Sequence, residues 1–313
     1  MKYLLLLAGF LILIYSGKYL VKSSIAIANR FKIPRIIIGI TVVALGTSTP
    51  ELLVSVSASL KGHPDVAIYN IIGSNICNIA MVLAIASMVY PVVVKPFTIR
   101  FDWPVMFGIS VLLYWFLLNN ELDGAEGIFL LAFIVAVILL YIYFGKKGKI
   151  KMELEEESKQ MNLLLAFFLI ILCSAGLALG ADLLVDNAIF IATDFGMSER
   201  VISVSLIALG TSIPELTTSV IAAINKESDI SFGNIIGSNL FNIGFVLGIT
   251  ALIRPIPVNP LAVQFDLYYM LGIALLLFVL LLVPGKRVLS RWKGFILFLT
   301  YLAYLYLIME RIN

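Results

Sequence analysis

Two glutamates lie where a charged side chain is costly. Glu51 and Glu215 are each the single acidic residue of a long apolar stretch. Each lies about fifteen residues from the start of its stretch, which a rise of 1.5 Å per residue places near the centre of a bilayer. A carboxylate there costs at least ~2.5–3.5 kcal/mol and normally faces a bundle interior or a cavity. A protonated structural glutamate is the alternative, but two such residues in equivalent places favour a function.

Hydroxyl groups accompany both glutamates. Thr47 precedes Glu51 by four residues, and Thr211 precedes Glu215 by the same interval. Residues four apart share one face of a helix, so each hydroxyl should lie beside its carboxylate.

A proline is expected to break the helix beside each glutamate. Pro50 has no N–H for the carbonyl of Gly46, and its ring crowds that turn. Pro214 and Gly210 repeat this arrangement. Unpaired backbone at membrane depth is tolerated only inside protein or beside a wet or ion-filled cavity. The carbonyl oxygens that we expect to be exposed are those of Ala44–Thr47 and Ala208–Thr211.

A second polar motif lies in two charge-free stretches. Ser74 and Asn78 are four residues apart, as are Ser238 and Asn242. The buried carboxylates give these amide oxygens a reason to face inward. Serine and asparagine side chains can instead serve only to join helices by hydrogen bonds within the membrane. This alternative stays open above all for four further asparagines of the motif, called the outer amides here. The outer amides are Asn70, Asn75, Asn234 and Asn239.

Together these groups predict a site for hard cations. Carboxylate, amide, hydroxyl and carbonyl oxygens, without cysteine or histidine, favour Ca²⁺, Na⁺ or Mg²⁺. Two ionised glutamates balance one Ca²⁺, whereas Mg²⁺ prefers to keep several waters. An adaptable set of oxygens can instead hold Na⁺.

The composition requires a membrane. Of 313 residues, 61% are hydrophobic and 13% charged, and the mean hydropathy is +1.05. Soluble domains are about 25% charged, so the surplus apolar surface must face lipid. A net charge of +3 does not indicate nucleic acid, and the single histidine, His63, makes a Ser–His hydrolase improbable. Cys77 and Cys173 lie in apolar runs and suggest no disulfide framework.

The hydropathy pattern predicts an all-α integral membrane protein with ten transmembrane helices. They are expected at about 3–28, 35–60, 66–90, 103–119, 125–144, 162–185, 200–224, 230–253, 266–284 and 292–309. The N-terminal stretch is interpreted as the first span rather than a signal peptide, because apolar sequence continues past Ser16 without a small-residue cleavage site.

An internal duplication divides the chain. The motif around Glu51 recurs around Glu215 and that around Asn78 around Asn242, both at an offset of 164 residues. The first half (1–144) and the second half (162–313) each contain five predicted spans, joined by a charged linker at 145–161. An odd number of spans forces the second copy to enter the membrane from the opposite side. The two halves are therefore expected to be inverted-topology repeats, which is a transporter architecture, although channels use it as well.

Positive residues predict the orientation. With the N-terminus outside, the cytoplasmic loops hold fifteen Lys and Arg residues and the outer loops five. We therefore expect a multi-pass protein of the cell membrane with both termini extracellular and the linker cytoplasmic. The acidic part of that linker, Glu153–Glu157, is expected to be solvated, and a regulatory calcium patch is the alternative.

At these motifs the chain resembles the sodium/calcium exchanger branch of the calcium:cation antiporter superfamily. The resemblance covers essentially the whole chain and rests on GTSxPE and GSNxxN in each half. In that family the motifs form two alpha-repeats, here about 35–90 and 200–253. The resemblance implies exchange of three Na⁺ for one Ca²⁺, with the first and sixth spans as moving gate helices.

The resemblance also implies a ligand set. Glu51 and Glu215 would bind both ions, and Thr47 and Thr211 would bind Ca²⁺ and, with Ser48 and Ser212, line the Na⁺ sites. The remaining expected ligands are the carbonyls of Ala44 and Ala208 and the side chains of Asn78, Asn242, Ser74 and Ser238.

Some alternatives stay open at this point. Potassium-dependent relatives often carry aspartate at the position of Asn242, so the amide here favours a potassium-independent exchanger. Proton-coupled relatives carry GNxxE motifs, which GTSxPE argues against. A cation channel is the candidate from another class. An enzyme is not expected, because no His or Lys at membrane depth could activate a hydroxyl. Ca²⁺ and Na⁺ are the expected substrates, and the lipid bilayer is the expected environment. The sequence indicates no cofactor, no nucleic acid and no obligate protein partner.

Overall fold

Long apolar runs form helices in this chain because a helix satisfies its own backbone hydrogen bonds away from water. The computed structural model describes residues 2–147, 161–194, 210–258, 260–283 and 287–312. In chain order the helices are α1 (Lys2–Phe31), α2 (Arg35–Thr47), α3 (Thr49–Leu60), α4 (Val66–Val89), α5 (Thr98–Asn119), α6 (Gly124–Lys146), α7 (Leu163–Asp194), α8 (Ile213–Ile224), α9 (Ser228–Ile253), α10 (Pro260–Leu282) and α11 (Arg291–Ile312).

The described helices agree with nine of the predicted spans. Eight are long and apolar enough to cross a membrane, and α2 with α3 forms a bent ninth. The predicted span 200–224 is described only from residue 210, and its apolar helix α8 is too short to cross alone. The protein is therefore an all-helical membrane protein.

Two helices form the centre of the bundle. In both α4 and α9, 83% of the most apolar 18-residue window is buried, against 22–39% in the other long helices. Lipid-facing helices can expose apolar side chains, so the burial of α4 and α9 means that protein surrounds them. These two helices carry the second polar motif of each half.

A two-helix layer packs against the bent span of α2 and α3 and against α8. α1 packs mainly against α7 and also against α8. Glycines allow the closest approach, since a Cβ at Gly9 would lie 2.9 Å from the carbonyl oxygen of Gly180.

Two short antiparallel sheets join the halves at the helix ends. The strands are β1 (Val92–Val93), β2 (Glu121–Leu122), β3 (Ile256–Pro257) and β4 (Val288–Leu289). β1 pairs with β4, with Val92 opposite Leu289, and β2 pairs with β3, with Leu122 opposite Ile256. Each sheet therefore links a connection in the first half to one in the second.

The contact between α9 and α2 predicts one stability effect. A Cβ at Gly237 would lie 2.6 Å from the Cβ of Ala44 and 2.7 Å from the Cα of Ile40. We expect Gly237→Ala to lower the apparent melting temperature in detergent, because overpacking costs ~1–3 kcal/mol. Gly108→Ala is the control, since Gly108 is exposed on α5 and no described atom lies within 4 Å of the added Cβ. Equal melting temperatures of the two variants would contradict this packing.

Candidate ion-binding site

The predicted break in the first half is confirmed. α2 ends at Thr47, α3 begins at Thr49, and the two helices are bent by 45°. Pro50 lies in the first turn of α3, where its missing N–H is tolerated. Glu51 follows in the same turn, so the positive end of the helix dipole faces the region of its carboxylate.

Glu215 occupies the same position in the second half, in the first turn of α8. Pro214 precedes it as Pro50 precedes Glu51. Neither glutamate side chain is accessible to solvent, and Ser48, three residues before Glu51, contacts the carboxylate of Glu215. The sequence-based expectation that both acids face inward is therefore confirmed.

The two carboxylates differ in their hydrogen-bond partners. Ser48 Oγ donates to Glu215 Oε1 over 3.1 Å, and Ser238 Oγ donates to the same oxygen over 3.4 Å. Glu215 Oε2 and both oxygens of Glu51 have no hydrogen-bond partner in the described part of the chain. Buried carboxylate oxygens are normally paired, so these oxygens are candidates for cation coordination.

The hydroxyls of the two halves meet in pairs. Thr47 Oγ1 lies 3.4 Å from Ser238 Oγ, and Thr211 Oγ1 lies 3.4 Å from Ser74 Oγ. Thr211 is the equivalent of Thr47 in the second half, and Ser74 is the equivalent of Ser238 in the first half, both at the offset of 164 residues. The same contact is therefore made twice, each time between the halves, and both hydroxyl pairs belong to the polar cluster around the glutamates.

The expected carbonyl ligands are only partly accounted for. The carbonyl oxygen of Ala44 accepts from Ser48 N over 2.9 Å and lies 3.3 Å from Thr47 Oγ1, a hydroxyl that is closer, at 3.1 Å, to Asn234 Oδ1. The prediction that the carbonyl of Ala44 is free of hydrogen bonds is therefore wrong, because the helical hydrogen bonds of α2 continue as far as Ser48 N. An ion at this oxygen would compete with the threonine hydroxyl. Ala208 lies outside the described residues.

One outer amide in each half joins two helices of that half, and the oxygen of the second amide, Asn234 Oδ1, also accepts from Thr47 Oγ1 of the first half over 3.1 Å. Asn70 Nδ2 donates to Ser55 Oγ over 3.2 Å and lies 3.5 Å from the backbone oxygen of Glu51. At the equivalent place, Asn234 Nδ2 donates to Ser219 Oγ over 2.9 Å and lies 3.5 Å from the backbone oxygen of Glu215. These contacts support the role of helix joiner for both amides and fix the backbone that carries each glutamate.

The inner amides are buried at the centre. Asn78 and Asn242 have no exposed side-chain surface. Neither amide atom of Asn78, nor the oxygen of Asn242, has a partner in the described part of the chain. A π-helical turn begins at each residue, Asn78–Leu83 and Asn242–Leu247, and such turns often mark functional sites. Ser212 Oγ is likewise buried without a described partner.

Two further membrane carboxylates were missed by the sequence reasoning. Tyr141 donates to Asp102 over 2.8 Å, and Tyr304 donates to Asp266 over 3.1 Å. Asp102 and Asp266 are also 164 residues apart, so the offset applied to every acidic residue would have found them. They lie on α5 and α10 and bind tyrosines of α6 and α11, which gives them a role in joining helices rather than in the central site.

Ion pairs at one end of the bundle were also missed. Arg35 Nη1 lies 2.8 Å from both carboxylate oxygens of Glu227, and Lys95 Nζ lies 2.7 Å from Asp229 Oδ2. No short-range sequence pattern indicates these pairs, since their members are more than 130 residues apart. Both pairs join the first half to the start of α9.

A family comparison covers almost the whole chain. The sequence model of the family described as "Sodium/calcium exchanger protein" matches residues 1–144 and 165–309. The chain is 36% identical over 311 residues to the putative antiporter CaxA of Alkalimonas amylolytica, covering 96% of this chain and 97% of that protein. It is 30% identical over 341 residues to the sodium/calcium exchanger MaX1 of Methanosarcina acetivorans, covering 97% of both.

A solved structure has the same fold. The sodium-calcium exchanger NCX_Mj, soaked with Na⁺ and Sr²⁺, matches with a TM-score of 0.80 and 29% sequence identity. The match covers 96% of this chain and 96% of that one. The similarity therefore extends over the whole bundle.

Ser48 binds a glutamate and Ser212 has no described partner, so we expect substitutions of these two serines to affect stability unequally. Ser48→Ala removes a donor to the buried Glu215 carboxylate, which should cost ~1–3 kcal/mol of stability. Ser212→Ala, its equivalent in the other half, breaks no described hydrogen bond and should cost less. Thermal melting in buffer free of Na⁺ and Ca²⁺ measures both variants. A larger loss for Ser212→Ala would show that the hydrogen bonds are assigned to the wrong half.

Proposed function

This chain belongs to the sodium/calcium exchanger family, and from that premise we propose that it is a secondary active antiporter exchanging Ca²⁺ for Na⁺. The observation that carries the proposal is the pair of inaccessible carboxylates, Glu51 and Glu215, in one cluster with unpartnered oxygens. Two like charges buried together are unfavourable, and one Ca²⁺ or several Na⁺ would neutralise them. This role is transport rather than catalysis, and it needs no resident cofactor.

The proposed ligands come from both halves. Glu51 and Glu215 bind Ca²⁺ and Na⁺ in turn, so one full load excludes the other. The further oxygens proposed as ligands are those of Thr47, Ser48, Ser74, Asn78, Ala44, Thr211, Ser212, Ser238, Asn242 and Ala208. The cross-half contacts of the hydroxyls support a single shared site.

Exchange of three Na⁺ for one Ca²⁺ would move one net charge in each cycle. A tenfold Na⁺ gradient contributes ~1.4 kcal/mol per ion, and one charge contributes ~2.3 kcal/mol per 100 mV. Together they supply roughly 6.5 kcal/mol, enough for a Ca²⁺ gradient of more than about 10⁴. We propose that the exchange is electrogenic and independent of K⁺, because the neutral Asn242 offers no extra charge to balance a further cation.

We propose that the architecture has ten spans in two inverted halves, and the small sheets support this. Pairing of β1 with β4 puts both strands at the same membrane face, which requires an even number of crossings between them. Helices α5, α6, α7, α9 and α10 supply five crossings. We propose that 200–224 is the sixth, which would give each half five spans.

The orientation follows from the positive charges. We propose that the linker 145–161 is cytoplasmic and both termini extracellular. Arg35 and Lys95 then lie at the cytoplasmic face, where basic residues concentrate. β1 and β4 lie at the same face in this arrangement.

Alternating access is supported by the unequal exposure of α3 and α8. Gly17 of α1 packs closely on Thr217 and Ile221 of α8. Thr218 of α8 is fully buried, whereas its equivalent on α3, Val54, is 41% exposed. We propose that α1 and α7 slide across the core, so that they cover α8 in one state and α3 in the other.

Removal of either central charge should stop transport. We expect Glu51→Gln and Glu215→Gln each to reduce Ca²⁺ uptake at least ~100-fold, because the buried Ca²⁺ would lose one of its two opposite charges, and leaving a buried charge uncompensated costs ~3–5 kcal/mol. Asp102→Asn is the matched control, since Asp102 is equally inaccessible but lies outside the site. Wild-type exchange by either glutamine variant would contradict the site assignment.

A flux assay tests the function as a whole. In proteoliposomes loaded with Na⁺, we expect ⁴⁵Ca²⁺ uptake that requires the outward Na⁺ gradient, is unaffected by K⁺ and does not follow a pH gradient. A K⁺ requirement would make the protein a potassium-dependent exchanger, and a pH gradient as the driving force would make it a Ca²⁺/H⁺ exchanger. Uptake without any counter-ion would indicate a channel.

A further inference from the structure

One outer amide contacts the central site differently from the others. Asn242 Nδ2 donates to Asn75 Oδ1 over 3.0 Å, and Asn75 Nδ2 donates in turn to the backbone oxygen of Asn239 over 3.4 Å. The side chains of Asn75 and Asn242 are almost fully buried. Asn75 therefore connects α4 to α9 at the level of the proposed ion site.

These two contacts fix the orientation of both amides. A backbone carbonyl only accepts hydrogen bonds, so the atom of Asn75 that faces Asn239 must be the NH₂ group. The oxygen of Asn75 then faces Asn242 and can only accept, which requires the NH₂ group of Asn242 at that place. The oxygen of Asn242 is left pointing elsewhere, buried and without a described partner.

The equivalent residues of the other half lack this contact. Asn239, the counterpart of Asn75, donates to Ile235 O of its own helix over 2.8 Å. Asn78, the counterpart of Asn242, has neither amide atom hydrogen bonded in the described part of the chain. Nothing described therefore sets which end of the Asn78 amide faces the site.

We propose that Asn75 is a positioning residue, which holds the amide oxygen of Asn242 toward the transported cation. The inference rests on the proposed exchange function and concerns the same site. A ligand held in its binding orientation avoids the cost of being ordered when the ion binds. Without Asn75, the Asn242 amide can turn its NH₂ group toward the cation. The partial positive charge of that group would repel the cation.

The test compares Asn75→Ala with Asn239→Ala, the matched variant in the other half. Asn239→Ala keeps the backbone oxygen that Asn75 contacts and removes no described contact to a proposed ligand. For Asn75→Ala we expect a roughly 3- to 10-fold higher half-saturating Ca²⁺ concentration, the size of one hydrogen bond. The maximal exchange rate should change less than about twofold, because the transported load is unchanged. Equilibrium ⁴⁵Ca²⁺ binding to the purified protein should weaken by the same factor.

A second background separates orientation from packing. In Asn242→Asp the two carboxylate oxygens are equivalent, so there is no amide to orient. Adding Asn75→Ala to this background should therefore change Ca²⁺ affinity much less than in the wild type. If alanine at position 75 gives an unfolded protein, Asn75→Leu fills the volume without an acceptor and serves in its place.

The outcomes distinguish the two proposals. Equal Ca²⁺ affinities of Asn75→Ala and Asn239→Ala, in a wild type that exchanges Na⁺ for Ca²⁺, would overturn the positioning role alone. An equal effect of Asn75→Ala in the wild type and in the Asn242→Asp background would overturn it as well. Absence of Na⁺-driven uptake in the wild type would instead overturn the proposed function.

Discussion

The burial of two carboxylates in the centre of a membrane protein constrains the rest of the structure. Neither Glu51 nor Glu215 reaches solvent, and in a surrounding of low dielectric two negative charges are unfavourable unless cations compensate them. Both acids lie in the first turn of a helix, at the positive end of its dipole. The most buried helices, α4 and α9, enclose the same region with hydroxyl and amide groups. The fold thus keeps both carboxylates away from lipid.

Duplication does not make the two halves of the site identical. The hydroxyl pairs and the amides Asn70 and Asn234 repeat their contacts at the same offset. By contrast, Ser48 binds Glu215 while Ser212 has no described partner. The proposed alternating access would require such asymmetry in any single state. The exposure of α3 and α8 differs as well, since Val54 is 41% exposed and the equivalent Thr218 is buried.

Much of the fold could be predicted from the sequence, because lipid makes hydropathy decisive. Nine predicted spans agree with described helices, and the break beside Glu51 follows from a proline that cannot donate a hydrogen bond. The family and the glutamates were recognisable because glycine, proline and glutamate recur at one fixed offset. These signals are local or periodic, so a sequence carries them directly.

The finer features of the site depend on contacts between distant segments. The ion pair of Arg35 with Glu227 and the amide pair of Asn75 with Asn242 join residues more than 160 positions apart. The π-helical turns at Asn78 and Asn242 depend on packing, and no residue type specifies them. The carbonyl of Ala44 shows the same limit, since a proline locates a break only to within about a turn.

Competition between Ca²⁺ and Na⁺ for the purified protein tests whether the two ions share the glutamates. In equilibrium binding of ⁴⁵Ca²⁺ at increasing Na⁺ concentration, we expect complete displacement of Ca²⁺ with a Hill coefficient above one, because several Na⁺ replace one Ca²⁺ at the same glutamates. Ca²⁺ binding that persists unchanged at saturating Na⁺ would contradict a shared site.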